Sequence, residues 1–416
     1  MRIIDRIKDD KGPLGNYAEQ TEGYYIFPKL EGELSNRMTF NGQEVVMWSI
    51  NNYLGLANHP EVRKVDAEVA KDWGLGYPMG SRMMSGNTDQ HGEFEEELAE
   101  FVKKEAAVLV NFGYQGIMSA IECVVNRRDV IVYDKNCHAC IVDGVRMHAG
   151  KRFSFLHNDM ESAEKQIIAA KKIAEEQGGD ILLISEGVFG MQGDQGKLRE
   201  LVELKNKYGF CFMVDDAHGF GTLGATGAGA GEEQGVQDDI DIYFSTFAKS
   251  MGSIGAFLAG NKHTMQFLKY NMRSQIFAKS MPMTQVLGNK KRLQMLKSMP
   301  ELKENLWKNV TLLQSRLREE GFNIGKTNSC VTPVFLSGEV PEATHVVYDL
   351  REKYKVFCSI VVYPVIPKGM LLLRLIPTAT HTPEDIEITI TAFKAIRENL
   401  ESGEYKRRDL KEQVLA

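Results

Sequence analysis

Seven short apolar runs between residues 105 and 260 constrain this chain more than any other feature. They are AAVLVNF (106–112), DVIVYD (129–134), RFSFL (152–156), DILLIS (180–185), FCFMVD (210–215), DIYFST (241–246) and GAFLAG (255–260). Amphipathic stretches such as 160–176 and 197–208 lie between several of them. Continuous apolar strands separated by helices predict a largely parallel sheet covered on both faces. After about residue 290 the pattern changes to a long helix (301–320), TPVFLSG, a helix near 342–354, VFCSIVVYP, MLLLRLIP and a last helix over 383–400. That order predicts a smaller α+β unit, followed by a charged tail, GEYKRRDLKEQ.

At 416 residues the chain has room for two or three domains, or one large domain with an appendage. The reading adopted is an N-terminal segment over 1–55, a large domain over 56–292 and a small domain over 293–416. A net charge of -6 with both signs interspersed argues against nucleic acid as a partner. No run reaches the roughly 18 apolar residues of a membrane span, and MRIIDRIKDD lacks a signal peptide's apolar core, so a cytoplasmic location is expected. Ile3, Ile4 and Ile7 form one face of a short helix, expected to pack on the body or a partner subunit, with peripheral membrane contact as the alternative. The six cysteines offer one close pair, Cys137 and Cys140. Without a second pair they predict reduced thiols and no metal site.

Ligands of a parallel sheet gather at the carboxyl ends of its strands. After the first run, Gly113-Tyr114-Gln115-Gly116 turns into a helix, whose N-terminal amides suit a phosphate. After the fifth comes Asp215-Asp216-Ala217-His218. A carboxylate at a buried strand end needs a cation or donors; a local cap would serve, as would a cationic ring nitrogen with His218 reaching the same ligand. The pentapeptide FAKSM occurs twice. Lys249, in the first copy, follows Thr246 at a strand end and precedes small residues, a setting that favours a neutral amine able to condense with a carbonyl. Such a lysine with an Asp on a pyridinium nitrogen is how proteins hold pyridoxal phosphate (PLP). Lys279, in the second copy, reads as a solvated loop lysine before Pro282. The run Gly227-Ala228-Gly229-Ala230-Gly231 has no strand before it and no Gly-Lys-Ser/Thr after it, so it reads as a turn and not a nucleotide loop.

Taken in order, these residues resemble the α-oxoamine synthases, fold-type-I PLP enzymes. The likeness spans nearly the whole chain and includes SINNYLGL (49–56), Gly80-Ser81-Arg82 with Gly86-Asn87-Thr88 and His91, residues 134–141, FLHND (155–159), Glu186-Gly187-Val188-Phe189 with Gly193-Asp194, and RLIPTATHT (374–382). The resemblance implies an α/β fold-type-I PLP-dependent transferase with a large, mostly parallel sheet domain and a smaller C-terminal α+β domain. It implies that Lys249 carries the cofactor and later moves protons at the substrate α-carbon. Asp215 would pair with the pyridine nitrogen, His138 stack on the ring and His218 bond its phenolic oxygen. Gly113, Tyr114 and Thr246 would hold the phosphate, with Glu186, Lys279 and Ser280 as further cofactor contacts. Arg374 would bind the amino-acid carboxylate and Asn52 would line the substrate side. The implied assembly is a homodimer with active sites at the subunit interface, using an amino acid and an acyl-CoA or acyl carrier protein.

The expected reaction is decarboxylative condensation of a small amino acid with a fatty acyl thioester. The overall likeness points first to the serine-using, sphingolipid-type members and second to the cysteate-using, sulfonolipid-type ones. The 2-amino-3-ketobutyrate ligases and 8-amino-7-oxononanoate synthases follow, and a silent regulatory subunit is the non-enzyme alternative. Several positions depart from the family pattern. Gly190 stands where Ser is usual, Cys137 and Cys140 where Asn or Asp and Ser are usual, and Ala256 replaces the second glycine of a common pair. Ala278 and Lys279 occupy places where small hydroxyl residues reach the neighbouring subunit's cofactor phosphate. An ammonium there suits an anionic substrate such as cysteate.

Overall fold

A computed structural model of the chain describes residues 2–9, 12, 15, 27–363 and 365–408. Among these, the strands in chain order are β1 (Leu30–Glu31), β2 (Arg37–Phe40), β3 (Gln43–Met47), β4 (Ala106–Val110), β5 (Val130–Asp134), β6 (Lys151–Phe155), β7 (Ile181–Glu186), β8 (Cys211–Asp215), β9 (Ile242–Thr246), β10 (Ala256–Gly260), β11 (Thr332–Ser337), β12 (Val356–Phe357), β13 (Ser359–Val361) and β14 (Met370–Leu375). All seven apolar runs form strands of one sheet, ordered β4-β10-β9-β8-β7-β5-β6. Strand β7 is buried along its whole length, as a strand covered on both faces must be.

Helices close both faces. One apolar cluster packs Leu183, Phe212, Val214 and Phe257 under the helix Met160–Gln177 and its neighbours, and another packs Ile131, Ile184, Met213 and Phe244 under the helix Gly113–Val124. Local signals set the helix ends. The Asp159 carboxylate caps the first by accepting from the Ser162 amide at 2.9 Å, and Gly178 ends it in the left-handed region at φ 67°.

One strand departs from the parallel pattern. β10 runs antiparallel to both β4 and β9. A parallel return needs a crossover of a dozen residues or more, and the nine residues 247–255 are too few. The segment bearing Lys249 is therefore the tip of a hairpin, with both ends hydrogen-bonded into the sheet.

The smaller unit has a separate core of Leu336, Leu371, Leu373, Ile386, Ile390 and Phe393. Its sheet is β11-β14-β13, covered by the helices Glu301–Glu319 and Pro383–Glu401. The chain's beginning joins it: β3 pairs parallel with β12, and Arg37 bonds the buried Asp385 at 2.8 Å. Residues 30–48 pack on their own chain's small unit, with Trp48 donating to Thr389 at 2.9 Å. The helix Ile3–Asp9 leaves Ile3, Ile4 and Ile7 exposed. The end of the charged tail, 409–416, lies outside the described residues.

Candidate active site

The strand order puts β7, β8 and β9 side by side, and their carboxyl ends carry Glu186, Asp215 and Thr246. Glu186 and Asp215 sit in register as direct neighbours. Asp215 is buried and accepts one backbone N–H, from Ala217, at 3.1 Å. Burial raises its carboxyl above the usual range, while the Lys249 ammonium pulls the other way. Burial likewise pushes Glu186 well up, with Asp215 adding to the effect. Lys249 is half-buried at the hairpin tip. Burial lowers its amine below the lysine range, opposed by Asp215 and Glu186.

Two histidines flank this group. His138 caps the helix Ala139–Met147, and its backbone N–H donates to Glu186 at 2.5 Å. Its ring stands edge-on to Tyr114, with centroids 6.2 Å apart. His218 is buried and shares a 2.6 Å hydrogen bond with the Tyr53 hydroxyl through Nδ1. Burial, Lys249 and Arg374 hold its pKa well below the usual histidine value. Arg374 reaches across from β14, where its Nε donates to the Gly190 carbonyl at 2.5 Å. Gly190 is pressed from its other side as well: a Cβ there would lie 2.3 Å from His218 Nε2. The missing side chain thus makes room for His218, which Tyr53 pins in place.

Asn52 is buried and its Oδ1 accepts the Ala57 amide at 3.0 Å, which leaves its NH₂ for a ligand. The helix Gly113–Val124 begins without a side-chain cap. At Gly113 a Cβ would meet Thr246 Oγ1 at 3.4 Å and the Phe244 ring at 3.5 Å. The first amides of an uncapped helix, open on a glycine and walled by a strand end, form a cradle for a phosphate. Thr246 borders it, but its hydroxyl donates to the Gly255 carbonyl at 2.9 Å and so closes the Lys249 hairpin.

Lys279 is not in the central group. Its loop is tied at three successive residues: Asn111 donates to the Lys279 carbonyl, Ser280 N–H donates to Gly80 at 2.9 Å, and His91 Nε2 lies 3.0 Å from the Met281 carbonyl. The Lys279 side chain is exposed, and Asn111 sets its backbone beside the chain's own cradle. Ser280 is buried, and its Oγ has no hydrogen-bond partner.

Two supports escaped the reading of the sequence. The first is His157, whose Nδ1 lies 3.1 Å from Asp134 and Nε2 2.9 Å from Asp194. Asp134 also accepts the Asn136 amide in the loop leading to His138, and Asp194 belongs to the loop of Gly190. One imidazolium therefore ties two site loops together. The Asp134 and Asp194 carboxylates raise its pKa to about 9 against the opposing burial. A raised histidine pKa stabilises the fold fully below about 6.5 and loses that stabilisation as pH climbs through about 9. Stability curves for wild type and H157Q should therefore diverge at pH 6 and converge by pH 10, with roughly 3 kcal/mol at stake. A pH-independent gap between them would contradict the tie.

The second support is Asp216, fully buried, whose Oδ2 accepts from Ala230 N–H at 2.9 Å and the Tyr243 hydroxyl at 3.0 Å. Three glycines close around it: Cβ atoms at Gly187, Gly219 and Gly229 would fall 1.9, 2.1 and 1.8 Å from its oxygens. The Gly-Ala-Gly-Ala-Gly run is thus one wall of this carboxylate's cage.

Residues 43–393 match the class I and II aminotransferase family. The chain belongs to that family. Within it the chain is an α-oxoamine synthase, a PLP-dependent acyltransferase. A cysteate-C-fatty acyltransferase of Capnocytophaga ochracea is 63% identical over 404 residues, covering 97% of this chain and 96% of that one. A serine palmitoyltransferase of Sphingobacterium spiritivorum is 34% identical over 375 residues, covering 89% and 92%. The structure of a Sphingomonas wittichii serine palmitoyltransferase superposes with a TM-score of 0.88 at 27% identity, covering 97% of this chain and 100% of that one. The α-oxoamine synthase cofactor suits what the residues present: an uncapped helix start for phosphate, a buried carboxylate short of donors for a ring nitrogen, and an amine beside it.

Proposed function

We propose that this α-oxoamine synthase condenses cysteate with a fatty acyl thioester, releasing carbon dioxide and the thiol and leaving a sulfonated α-amino ketone. The 63% identity to a cysteate-C-fatty acyltransferase over nearly the full length of both chains carries this reading. Identity to a serine palmitoyltransferase is 34%, so cysteate takes the place that the sequence reading gave to serine. The exposed Lys279 ammonium on its triply anchored loop supports the same choice, because a sulfonate keeps its charge throughout the physiological pH range.

When bound, PLP supplies an electron sink for the carbanion left by decarboxylation. The chain's own groups do the rest. Lys249 holds the cofactor and takes or returns the proton at the substrate α-carbon; its lowered pKa keeps a share of the amine neutral for that task. Asp215 would pair with the ring nitrogen and favour its protonated form. His138 and His218 would orient the ring. The Gly113 and Tyr114 amides would take the phosphate, with Ser280 offering a buried hydroxyl that has no hydrogen-bond partner. Arg374, its Nε spent on Gly190, has its Nη groups left for the substrate carboxylate.

A homodimer fits the distribution of apolar surface. Leu75, Met79, Met84, Phe112 and Phe277 are all exposed, and a hollow of about 380 Å³ lies between Tyr114, Met118, Met147 and Phe277 beside the cradle. Covering these with a second subunit removes apolar surface from water where the sites lie. Among the described residues no helix is long and apolar enough to cross a membrane.

The test offers cysteate, serine, glycine and alanine with one long-chain acyl thioester and identifies products by mass. Wild type should turn over cysteate best. K279A should raise the KM for cysteate about 10- to 100-fold, the scale of one charge-assisted hydrogen bond, and leave alanine little changed. A wild type that prefers serine would sink the cysteate reading. Equal losses on every amino acid, with loss of cofactor, would move Lys279 to the phosphate instead.

A further inference from the structure

The sulfur of Cys140 lies 2.9 Å from His138 Nδ1, and the Cys140 backbone N–H points at the same nitrogen from 3.3 Å. A cysteine beside an imidazole suggests a nucleophilic pair that accepts the acyl group from the thioester. The setting argues otherwise. Cys140 is buried in the first turn of the helix Ala139–Met147, within the apolar cluster of Ile121, Ile141 and Val145. Burial raises its thiol far above the usual range, and Asp215 and Glu186 raise it further. A buried, protonated thiol is a poor nucleophile but a serviceable donor.

The backbone N–H only donates and so favours a lone pair on Nδ1, but a single hydrogen bond at 3.3 Å does not hold the tautomer alone. The protonated thiol makes a second demand for the same lone pair. We propose that Cys140 is a positioning residue that fixes the His138 imidazole as the Nε2–H tautomer, so that this ring meets the substrate as a hydrogen-bond donor and not as a proton shuttle. Moving the proton to Nδ1 would set it against two donors and leave both without an acceptor.

The remaining neighbours fit a neutral ring. Burial does most to oppose a second proton, Asp215 favours one, and Lys249 and Arg374 add to the opposition, so the pKa lies below the usual histidine value. Glu186 engages only the backbone N–H of His138, and Tyr114 meets its ring edge-on. With Nδ1 occupied, Nε2–H is the one donor the ring can offer to a carboxylate or carbonyl oxygen of the substrate. This deepens the α-oxoamine synthase reading by naming what sets the chemistry of one ring. It does not depend on whether the amino acid is cysteate or serine.

The experiment uses PLP-loaded enzyme labelled with ¹⁵N-histidine, comparing wild type, C140S and C140A by two-bond proton–nitrogen correlation and by the pH dependence of kcat/KM. Visible absorbance checks that each variant keeps its cofactor. His138 Nδ1 should appear unprotonated in wild type and in C140S, whose hydroxyl restores the donor. C140A should show a mixture of tautomers, an acid limb moved to higher pH and a kcat lower by about 5- to 10-fold, the share of one hydrogen bond. A protonated Nδ1 in the wild type overturns the proposal, as does a C140A signal or pH profile that matches wild type. The nitrogen spectrum needs neither amino acid nor thioester, so it can fail while the cysteate reading stands, and the reverse.

Discussion

Lys249→Ala abolishes turnover while leaving the fold intact. The expected loss in kcat is at least about 10²- to 10⁴-fold, the share of a positioned acid–base group, compounded by loss of the covalent hold on the cofactor. The fold should tolerate the change because the hairpin is fastened by other groups. Phe247 N–H donates to Gly255 at 2.9 Å, Ser253 N–H donates to Phe247 at 2.9 Å, and Thr246 spans the same turn. Truncation removes a half-buried amine whose own burial disfavours its charge, which offsets the lost attraction to Asp215 and Glu186. Purified K249A should melt within a few degrees of wild-type apoenzyme, and its visible absorbance should wash out on dialysis. A K249A protein that kept an acyltransferase rate within tenfold of wild type would remove Lys249 from the chemistry and reopen the question for Lys279.

Asp215→Asn is the second large effect. The variant keeps the shape of the strand end but cannot offset a positive ring nitrogen. Removing one such preorganised electrostatic partner costs on the order of 10²- to 10³-fold in kcat, with cofactor retained more weakly. The linked consequence concerns pH. Burial raises the Asp215 carboxyl in the free chain, so folding is weakened as pH rises through that raised value, where the buried acid must ionise. Apo wild type should therefore lose stability relative to apo D215N as pH rises from the ordinary carboxylate range up to that raised value, and adding PLP should reverse the order. If D215N and wild type lose stability in parallel, and PLP stabilises both alike, the carboxylate is not the ring's partner.

Much of this was legible in the residues because the strands are bounded by turn chemistry and filled without interruption by apolar side chains. Gly113 follows such a run, Asp215 ends one and Lys249 lies three residues past one, so the rule that ligands collect at carboxyl strand ends singles them out as candidates. What escaped depended on distance along the chain. The antiparallel turn of β10 follows from the length of the 247–255 connection, which apolar periodicity does not register. His157 finds Asp134 and Asp194 from positions 23 and 37 residues away. Tyr53 reaches His218 across 165 residues, and Arg374 reaches Gly190 across 184. Gly190 read as a lost hydroxyl, whereas in the fold it is space taken by an imidazole. Contacts of this kind carry no local signature, and only the assembled sheet reveals them.

The cage around Asp216 has a bearing on how this protein can change. Gly187 opens the connection that leads from β7 towards Gly190, and Gly219 and Gly229 lie near the two ends of the connection that follows β8 and carries His218. All three converge on a single side chain. A graft that replaces one of these two loops with a bulkier version has to displace the carboxylate, and the other loop moves with it. Variation at this end of the molecule is therefore joint: the segments that carry Gly190 and His218 share a keystone, and a substitution in one constrains the other.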